Sequence, residues 1–390
     1  MSGNGESGGN PSPRVQLVLD FGAIVGNFRN IVRIAQPSRI ISVLKADAYG
    51  LRVHHLAAAL ADNGSAGFGV ATPSEALELL KYGKPVTLLS ALLPDEIPSM
   101  ISAGVDMPVV SPDAARAIND VAAKLKRKAK VHLKIDTGMG RLGMTPDEIL
   151  DAAGDLLGLP WLDIDGICSH FPCADEPGNP LNISQIQNLT QLIDTLEARG
   201  FAFEKRHIAA SGALFNLPAS YRAPFNYVRI GLGLYGADKA MQTQDQTILP
   251  TVSLISKVVQ IRRIAAGRPI GYSGTFIAAK PMRVAVVAAG YADGVPLALS
   301  NRGYVTIAGK KCPVIGRVSM DCMSVALDSV DVPVEPGDDA VLFSGVGNAM
   351  RIEDWAKLKG THPYDILCSI GNRVARVAKM EPTEGIEPTT

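Results

Sequence analysis

Residues 130–144 read KVHLKIDTGMGRLGM, an alternating run followed by a glycine-rich segment. Charged Lys134 and Asp136 alternate with apolar residues, which is the pattern of a β-strand whose side chains point to opposite faces in turn. We expect both charges to point into the interior of the fold. The glycines that follow allow a tight loop that would present Arg141. Because an unpaired charge inside a fold is costly, we expect this strand to end in a functional site, rather than in a solvated loop with an ordinary arginine.

Similar short apolar runs recur on both sides of this segment. Helix-like stretches such as PDAARAINDVAAKLKRKA and SQIQNLTQLIDTLEARG separate them, and several begin at Ser, Asp or Pro and end at Gly. Eight strands alternating with helices over about 200 residues favour a (β/α)8 barrel over a doubly wound sheet. No GxGxxG follows the first strand, as a dinucleotide fold would require. The predicted strands are IISVLKA, AGFGVAT, VTLLSALL, VDMPVVS, KVHLKIDTG, WLDIDGICSHF, KRHIAAS and YVRIGLGLYG.

The pattern changes after about residue 243. Runs such as VSLISKVVQIRRI, MRVAVVAAG and DAVLFSG are separated by Gly, Pro and Asp turns, which predicts a second, predominantly β-strand domain. We therefore expect a barrel over residues 14–243 and the β domain over residues 244–381. Residues 1–13 and 382–390 have the composition of disordered tails.

Composition excludes several classes of function. Lys plus Arg and Asp plus Glu both total 38, so the net charge is zero, which argues against a nucleic-acid or acidic-membrane partner. No apolar run approaches the roughly 20 residues of a membrane-spanning helix, and the N-terminus lacks the features of a signal peptide. The five cysteines show no ligand spacing. They predict free buried thiols in a reducing compartment, the cytoplasm, and no metal site.

Polar residues follow several predicted strands at the end where (β/α)8 enzymes carry their reacting groups. Lys45, in VLKADAYG, either extends its charge outward from the core rim or is a functional amine; a partly desolvated lysine suits Schiff-base chemistry with a carbonyl cofactor. Tyr49, one short turn later, could reach an anionic group. His170 ends the sixth strand, where a packed, hydrogen-bonded histidine is the ordinary alternative to a functional one.

The seventh and eighth strands bring Ser211, Arg229, Gly231 and Leu232 to the end of the barrel where phosphate commonly binds. Glycine there lets the backbone approach an anion closely. An amine at the first strand and a phosphate site at the last two would share one mouth. Pyridoxal 5'-phosphate is the cofactor with both an aldehyde and a phosphate.

The motifs VLKADAYG, DTGMGRLGM, RIGLGLYG, GYSGTF, GYADG and GRVSMD, in this order, resemble the motif series of alanine racemases from about residue 15 to about residue 380. The resemblance implies a pyridoxal-phosphate enzyme that interconverts L- and D-alanine and supplies D-alanine for peptidoglycan. It also implies a homodimer in which the β domain of one subunit completes the active site of the other.

The resemblance assigns the cofactor contacts. Lys45 would bind the cofactor aldehyde, and Arg229 would face the pyridine nitrogen, where most other folds place a carboxylate. An arginine cannot accept the ring proton, so the ring would stay unprotonated, withdraw electrons weakly and undergo few side reactions. His170 would support Arg229 by a hydrogen bond. The phosphate would be held by Tyr49, Ser211, Gly231 and Leu232.

The same resemblance assigns the remaining pocket. Arg141 would address the cofactor phenolate oxygen and the substrate, oriented by Lys134, which is carbamylated in many relatives. Racemisation requires a base on each face of a planar carbanion; Lys45 is one, and Tyr272 of the partner subunit matches the other. Tyr272 taken alone could equally be an aromatic residue of a turn. A tyrosine has an ordinary pKa of about 10, so we expect His170 to act as its relay. The partner's pocket residues would be Tyr291, Met320 and Asp321.

The sequence departs from the family pattern at four places. Leu51-Arg52 stand where His-Gly is usual, Ala210 where Asn is usual, and Ser319 where Cys is frequent. The largest difference is Asn372, where the family commonly has a tyrosine that contacts the phosphate and narrows the entrance. An amide can still donate to phosphate but leaves more room. Our hypothesis is that the pocket admits side chains larger than methyl, such as that of serine.

Four alternatives remain at this point. The first is a serine or broad-specificity racemase, although such relatives are commonly exported. The second is a non-catalytic pyridoxal-phosphate-binding barrel, which would lack the β domain. The third is a pyridoxal-phosphate decarboxylase, which would place a carboxylate where Arg229 stands and a catalytic cysteine in its β domain. The fourth, a metal-dependent barrel enzyme, lacks a ligand set in this sequence.

Overall fold

The computed structural model describes residues 12–237 and 248–379. The chain divides into two compact units, Phe21–Leu249 and a second formed by Met1–Asp20 with Pro250–Thr390. The strands are β1 (Val15–Asp20), β2 (Arg39–Val43), β3 (Gly67–Val70), β4 (Val86–Leu88), β5 (Met107–Val109), β6 (Ala129–Lys134), β7 (Leu162–Cys168), β8 (Lys205–His207), β9 (Tyr227–Ile230), β10 (Val252–Ile264), β11 (Pro269–Ile270), β12 (Phe276–Ile277), β13 (Met282–Val287), β14 (Tyr304–Ile307), β15 (Lys310–Pro313), β16 (Met323–Ala326), β17 (Asp339–Phe343) and β18 (Ala375–Lys379). The α-helices are α1 (Phe21–Ala35), α2 (Lys45–Gly50), α3 (Val53–Asp62), α4 (Pro73–Leu79), α5 (Ile97–Ala103), α6 (Pro112–Leu125), α7 (Pro146–Leu157), α8 (Pro180–Ala198), α9 (Ser211–Asn216), α10 (Ile352–Lys359) and α11 (Pro363–Cys368).

Strands β2 to β9 form a closed ring of parallel strands. Two four-stranded sheets have the orders β4-β3-β2-β9 and β5-β6-β7-β8, and all of their pairings are parallel. Parallel bridges between Thr87 and Asp106 and between Ala210 and Arg229 join the two sheets. Helices follow the strands around the ring, so the predicted (β/α)8 barrel is confirmed, and each of the eight predicted strands overlaps one of its strands.

Side-chain caps begin several of the barrel helices, namely α4, α6, α7 and α8. At the start of α7, Thr145 Oγ accepts from the N–H of Glu148, and the Glu148 carboxylate accepts from the N–H of Thr145 at 2.7 Å. Pro146 occupies the first helical position, where a missing N–H costs nothing. The same reciprocal pair, Thr72 and Glu75, begins α4. Short capped connections keep the strand ends close together at one end of the barrel.

The barrel strands are buried on both faces. Val131 and Leu133 of β6 have no solvent exposure, because one face of a barrel strand packs into the ring and the other lies under the helices. Both faces are then largely apolar, which is why several of these strands, such as β2 and β4, appear in the sequence within apolar runs. A charged side chain inside the ring is therefore an exception that requires a partner.

The second unit is built on one long strand, β10. Its first half pairs with β1 and β17 and its second half with β13, and the main sheet path is β15-β14-β17-β10-β1-β18. Trp355 of α10 is fully buried and packs edge-to-face on Phe343, with ring centroids 5.1 Å apart. A predominantly β-strand second domain is thus confirmed.

The first strand corrects our expected domain boundary. Residues 15–20 were expected in the barrel, but β1 pairs antiparallel with β10 and parallel with β18. The partners of β1 lie more than two hundred residues away in sequence, so its neighbours along the chain gave no indication of them. The expected boundary at residue 243 and nearly all of the expected tails fall outside the described residues. Among the described residues, no helix is both long and apolar enough to cross a membrane.

Candidate active site

The segment that follows β2 carries Lys45 on a left-handed turn. From Ala46 to Tyr49, each residue of α2 has φ between 53° and 62°. A left-handed conformation costs an L-residue roughly 1–2 kcal/mol, so a run of this kind persists only where the surrounding structure holds it. Lys45 itself is exposed, whereas Tyr49 is buried.

Two carboxylates hold this turn. Glu75 of α4 accepts a hydrogen bond from the N–H of Ala46 at 2.6 Å and also accepts from the N–H of Ala71 at 2.9 Å. Asp47 accepts from the N–H of Val53 at 2.8 Å. Glu75 was not predicted as a site residue, although the sequence Thr-Pro-Ser-Glu is a typical capping box and predicts a role at the N-terminus of a helix. The strained turn is thereby tied to helices α3 and α4.

Hydroxyl groups converge where β8 and β9 end. Ser211 Oγ accepts from the backbone N–H groups of Gly231 at 3.2 Å and Gly233 at 3.1 Å. The Tyr49 hydroxyl lies so close to Gly231 that a Cβ on that glycine would be 2.1 Å from it. Leu232 is buried at the start of the next short helical turn. Only glycine at position 231 therefore leaves room for the Tyr49 hydroxyl against the end of β9.

Arg229 lies buried inside the barrel end, 5% exposed. Its Nη1 donates to His207 Nδ1 at 2.5 Å, and its Nη2 donates to the carbonyl oxygens of Ser169 at 2.8 Å and Ile208 at 3.0 Å. Nη2 also lies 3.1 Å from His170 Nδ1. These acceptors are neutral carbonyl oxygens and imidazole nitrogens, so none of these partners neutralises the guanidinium charge.

His170 is held in its neutral form. Burial, and next the positive charge of Arg229, lower its pKa to about 2. Since an arginine only donates, His170 Nδ1 is an acceptor and the single imidazole proton lies on Nε2. His170 can therefore donate a hydrogen bond from Nε2 but cannot store a proton near neutral pH.

The glycine-rich loop after β6 is organised by Asp136. Its carboxylate accepts from the backbone N–H groups of Gly138, Met139, Gly140 and Arg141, at 2.8–3.1 Å. We expected Asp136 to point into the barrel, but these four bonds satisfy it at the loop. Arg141, in the same loop, is exposed.

Lys134 lies beneath this loop at the end of β6. Burial lowers its pKa to about 8, and the positive charges of Arg229 and Arg141 act in the same direction. Gly143, with φ of 116°, approaches so closely that a Cβ there would lie 2.6 Å from the Lys134 carbonyl oxygen. A partly neutral lysine amine is thus covered by a loop that only glycine can close.

The remaining predicted residues lie in the β unit. Tyr272, Tyr291 and Met320 are 70%, 44% and 51% exposed. The Tyr291 N–H donates to the Ser319 carbonyl oxygen at 3.0 Å, which sets the Tyr291 segment beside Met320 and Asp321. Tyr272 begins a short turn after Gly271, whose φ is 73°.

Arg373 ties these segments together. It binds the Asp293 carboxylate at 2.7 and 2.9 Å, the Asp321 carboxylate at 2.7 Å and the Met320 carbonyl oxygen at 3.3 Å. Asn372, the exposed neighbour of Arg373 in sequence, therefore lies near the same group. The sequence analysis missed Arg373. Its position two residues before the last strand gave no signal beyond charge.

Comparison with known proteins identifies the family. The sequence profile described as the alanine racemase N-terminal domain matches residues 19–239, and that of the C-terminal domain matches residues 251–378. Alanine racemase of Syntrophobacter fumaroxidans is 36% identical over 359 residues, 90% of this chain and 94% of that protein. The chain belongs to the alanine racemase family. Alanine racemase of Geobacter sulfurreducens is also 36% identical, over 92% of this chain and 95% of that protein.

Solved alanine racemases share the fold. The enzyme from D-cycloserine-producing Streptomyces lavendulae matches with a TM-score of 0.88 and 32% identity, covering 96% of this chain and 99% of that one. The alanine racemase of Bartonella henselae, solved with covalently bound pyridoxal phosphate, matches with a TM-score of 0.85 and 28% identity, covering 95% and 100%. The family and the class of enzyme, an amino-acid racemase, that the motif series predicted are confirmed.

Sequence reasoning overlooked a buried charge cluster deeper in this alanine racemase barrel. Ligand atoms of Asp106, His132 and Asp165 lie within 4.8 Å of one another, as a metal site would require. The Lys205 ammonium, however, binds the carboxylates of Asp106 at 2.7 Å and Asp165 at 2.9 Å. A protein cation thus occupies the place where a metal would bind. His207, which contacts Arg229, was also overlooked.

The five cysteines all lie within the described residues and form no disulfide with one another. Cys168 and Cys312 are buried, as expected, but Cys368 is exposed and Cys173 and Cys322 are partly exposed. The expectation that all five are buried is therefore wrong, because Cys368 ends a surface helix, α11.

Proposed function

We propose that this chain interconverts L- and D-alanine with pyridoxal 5'-phosphate as its cofactor, and that Lys45 and Tyr272 of the partner subunit are the two bases. The observation that carries the proposal is the barrel end itself. There, the buried guanidinium of Arg229 lies on β9. The exposed Lys45 with Tyr49, and the hydroxyl of Ser211, follow the neighbouring strands β2 and β8.

The residues present fit the cofactor. Gly231 leaves the space that a Cβ would fill beside the Tyr49 hydroxyl, so the Tyr49 and Ser211 hydroxyls and the backbone at Gly231 and Leu232 can surround one phosphate. Asn372 of the β unit would add an amide donor. Pyridoxal phosphate, when bound, withdraws electrons from an amino acid joined to it and makes the α-proton removable.

Arg229 would face the pyridine nitrogen. Its remaining N–H bonds are fixed by carbonyl oxygens and by His207 and His170, so it can offer a hydrogen bond to the ring but cannot accept a proton from it. An unprotonated ring withdraws electrons weakly. Arg229 would therefore keep the reaction to removal and return of one proton and suppress transamination.

Lys45 and Tyr272 would hold and move the α-proton on opposite faces. A base on each face is required because a single base tends to return the proton to the side from which it came. A tyrosine of ordinary pKa, about 10, needs assistance at neutral pH. Because His170 carries its proton on Nε2, it would donate to the Tyr272 oxygen and stabilise the phenolate. His170 would thus assist as a donor and not as a proton carrier.

Lys134 and Arg141 would address the cofactor phenolate oxygen, and Arg141 also the substrate. A lysine with a pKa of about 8 is partly neutral at physiological pH, and a neutral amine can bond to carbon dioxide, losing one proton to solvent and gaining a carboxylate. We propose that Lys134 is carbamylated and pairs with Arg141. A 13C signal after exposure to labelled bicarbonate, absent from Lys134→Ala, would test this.

The substrate side would be formed by the partner's Tyr291, Met320 and Asp321. Arg373 neutralises the Asp321 carboxylate, so that side chain would not repel the carboxylate of an amino acid. Tyr272, Tyr291 and Met320 are large and exposed, which is typical of a surface that a partner covers. We propose that this partner is a second copy of the chain, in a homodimer with composite sites. A cytoplasmic protein that supplies D-alanine for peptidoglycan remains the role implied by the family resemblance.

Serine is the second candidate substrate. Asn372 is smaller than the tyrosine usual at this position and is exposed, so the entrance would admit a hydroxymethyl group. The comparison of alanine with serine belongs in the same experiment as the main test.

The test is incubation of the cofactor-loaded protein with L-alanine and, separately, L-serine in heavy water, following optical rotation and α-deuteration together. The proposal predicts that the wild type loses optical purity while the α-position gains deuterium. Neither change should occur with Lys45→Ala. Tyr272→Phe should lower the rate of racemisation about 100-fold or more, which is the usual contribution of a general acid–base group. Deuteration without inversion would contradict the two-base proposal. Absence of both would contradict these substrates.

A further inference from the structure

A line of buried polar side chains connects Arg229 to the charge cluster deeper in the barrel. Arg229 Nη1 lies 2.5 Å from His207 Nδ1, and His207 Nε2 lies 3.3 Å from His132 Nδ1. His132 Nε2 in turn faces Asp106 at 3.5 Å and Asp165 at 3.4 Å. His132 and His207 are 1% and 0% exposed, so no bulk water can alter their protonation directly.

The directions of the Arg229–His207 and His207–His132 hydrogen bonds follow from arginine, which only donates. His207 Nδ1 must accept from Arg229, and burial with the Arg229 charge holds the pKa of His207 well below its ordinary value. A neutral imidazole has one proton, which His207 then carries on Nε2 and donates to His132. His132 Nδ1 must therefore be bare, and the proton of His132 lies on Nε2, toward the carboxylates.

Lys205 decides whether His132 can remain in that form. Burial alone would lower the pKa of His132, but the carboxylates of Asp106 and Asp165 outweigh it and raise the pKa. That attraction favours a second proton on Nδ1, which would oppose the proton donated by His207. The distances indicate that Lys205, and not a charged His132, neutralises these carboxylates, because the Lys205 ammonium lies 2.7 and 2.9 Å from them. A fully charged imidazolium would be drawn to a similarly short distance.

Backbone features fix the His132 ring in this line. The register of β6 against β7 shifts between Val131 and His132, so Asp165 is the extra residue of a bulge. The next residue, Gly166, lies against the His132 ring, and a Cβ there would be 2.2 Å from its Cδ2 atom. The bulge and the glycine together bring the Asp165 carboxylate and the His132 imidazole into the barrel interior.

We infer that Lys205, His132 and His207 are positioning residues that hold Arg229 in place: Lys205 occupies the two carboxylates, which keeps His132 neutral, and His207 then stays an acceptor for Arg229. The inference rests on the proposed function, in which Arg229 faces the cofactor nitrogen. With a second proton on His132, His207 Nε2 would have to accept a hydrogen bond, and the single proton of His207 would move to Nδ1. His207 Nδ1 could then no longer accept a hydrogen bond from Arg229. The groups that face His132 are Asp106, Asp165, Lys205, His207 and Cys168.

Imidazole 15N spectra of the cofactor-loaded enzyme test this directly. Signals of the six histidines are assigned with His132→Gln and His207→Gln, and each nitrogen reports whether it carries a proton. The wild type should show His132 and His207 both neutral and protonated on Nε2. A doubly protonated His132, or a His207 protonated on Nδ1, in the wild type would overturn the inference without any further variant.

Lys205→Met and its compensated partner Lys205→Met/Asp106→Asn supply the matched comparison. The single variant should protonate His132 twice, move the His207 proton to Nδ1 and lower kcat/KM about 10- to 100-fold, as expected for a lost bond to a charged group. The double variant removes one charge of each sign and should regain the wild-type spectrum and most of the activity. An unchanged His207 signal in Lys205→Met, or no recovery in the double variant, would contradict the inference.

If Lys205→Met does not fold, the wild-type spectrum and the double variant still decide the question. The spectra also separate this inference from the proposed function, because they do not depend on turnover. If the protein shows the expected tautomers but racemises neither alanine nor serine, the proposed function is refuted and the inference about Lys205, His132 and His207 is retained. Racemisation with a doubly protonated His132 would do the reverse.

Discussion

Substitution of Gly231 by alanine should weaken cofactor binding, whereas the same change at Gly233 should not. A Cβ at position 231 would lie 2.1 Å from the Tyr49 hydroxyl and 2.9 Å from its ring carbon Cζ. A Cβ at position 233 would meet its nearest atom, Ser211 Oγ, at 3.4 Å, an ordinary contact. Because Tyr49 is buried on a strained turn, it cannot simply move aside, and overpacking of this kind costs about 1–3 kcal/mol.

The loss in cofactor affinity follows from the contact that Tyr49 would make. A hydrogen bond to a charged group contributes about 1.5–3 kcal/mol, so its loss should raise the Kd for pyridoxal phosphate about 10- to 100-fold. Titration of the cofactor-free protein, followed by absorbance, measures this Kd, and urea unfolding controls for general damage. Equal Kd values for Gly231→Ala, Gly233→Ala and the wild type would refute the assignment of the phosphate site.

Three further predictions concern the loop, the buried cluster and the entrance. Gly143→Ala should destabilise the protein by about 2–5 kcal/mol, because φ is 116° and a Cβ would lie 2.6 Å from the Lys134 carbonyl oxygen. The control Gly140→Ala, where a Cβ would meet no atom within 4 Å, should cost about 1 kcal/mol. Equal urea midpoints for the two variants would count against this prediction. Burial raises the pKa of Asp106, but the His132 N–H that faces this carboxylate and then the Lys205 ammonium outweigh burial and lower the pKa to about 2. This stabilisation is complete above pH 4 and lost as pH falls toward 2, so the wild type should lose about 2 kcal/mol more than Asp106→Asn over that interval; parallel acid unfolding curves would be the contrary result. Asn372→Tyr should raise the ratio of alanine to serine turnover, and an unchanged ratio would reject the hypothesis of a wider entrance.

The barrel could be predicted because its information is local. Most of the barrel strands lie in short apolar runs, and several helices have their own cap, such as Thr145 with Pro146 and Glu148, so these elements can be recognised without knowledge of distant contacts. β1 was misplaced for the opposite reason. Its alternating residues indicate a strand, but the choice between barrel and β unit depends on pairing with β10 and β18 at the far end of the chain.

The site was predicted only in part, for a related reason. Lys45, Arg229 and the glycine-rich loop were recognisable because they follow strands or form motifs. The Asp106–Lys205–Asp165 cluster was not, because a bulge in β7 determines that these charges meet, and a bulge leaves no fixed signature in sequence. The left-handed turn after Lys45 was also unforeseen, since residues such as Ala48 rarely adopt that conformation.

Subunit complementation tests the central claim, a two-base site shared between two copies, most directly. Lys45→Ala and Tyr272→Phe should each be nearly inactive alone. Unfolding and refolding them together in equal amounts should form mixed dimers, in which one barrel has its own Lys45 and receives an intact Tyr272 from the other copy. Activity should then return to about one quarter of the wild-type level, since half of the dimers are mixed and half of their sites are intact. Mixtures no more active than the separate variants would contradict the composite site.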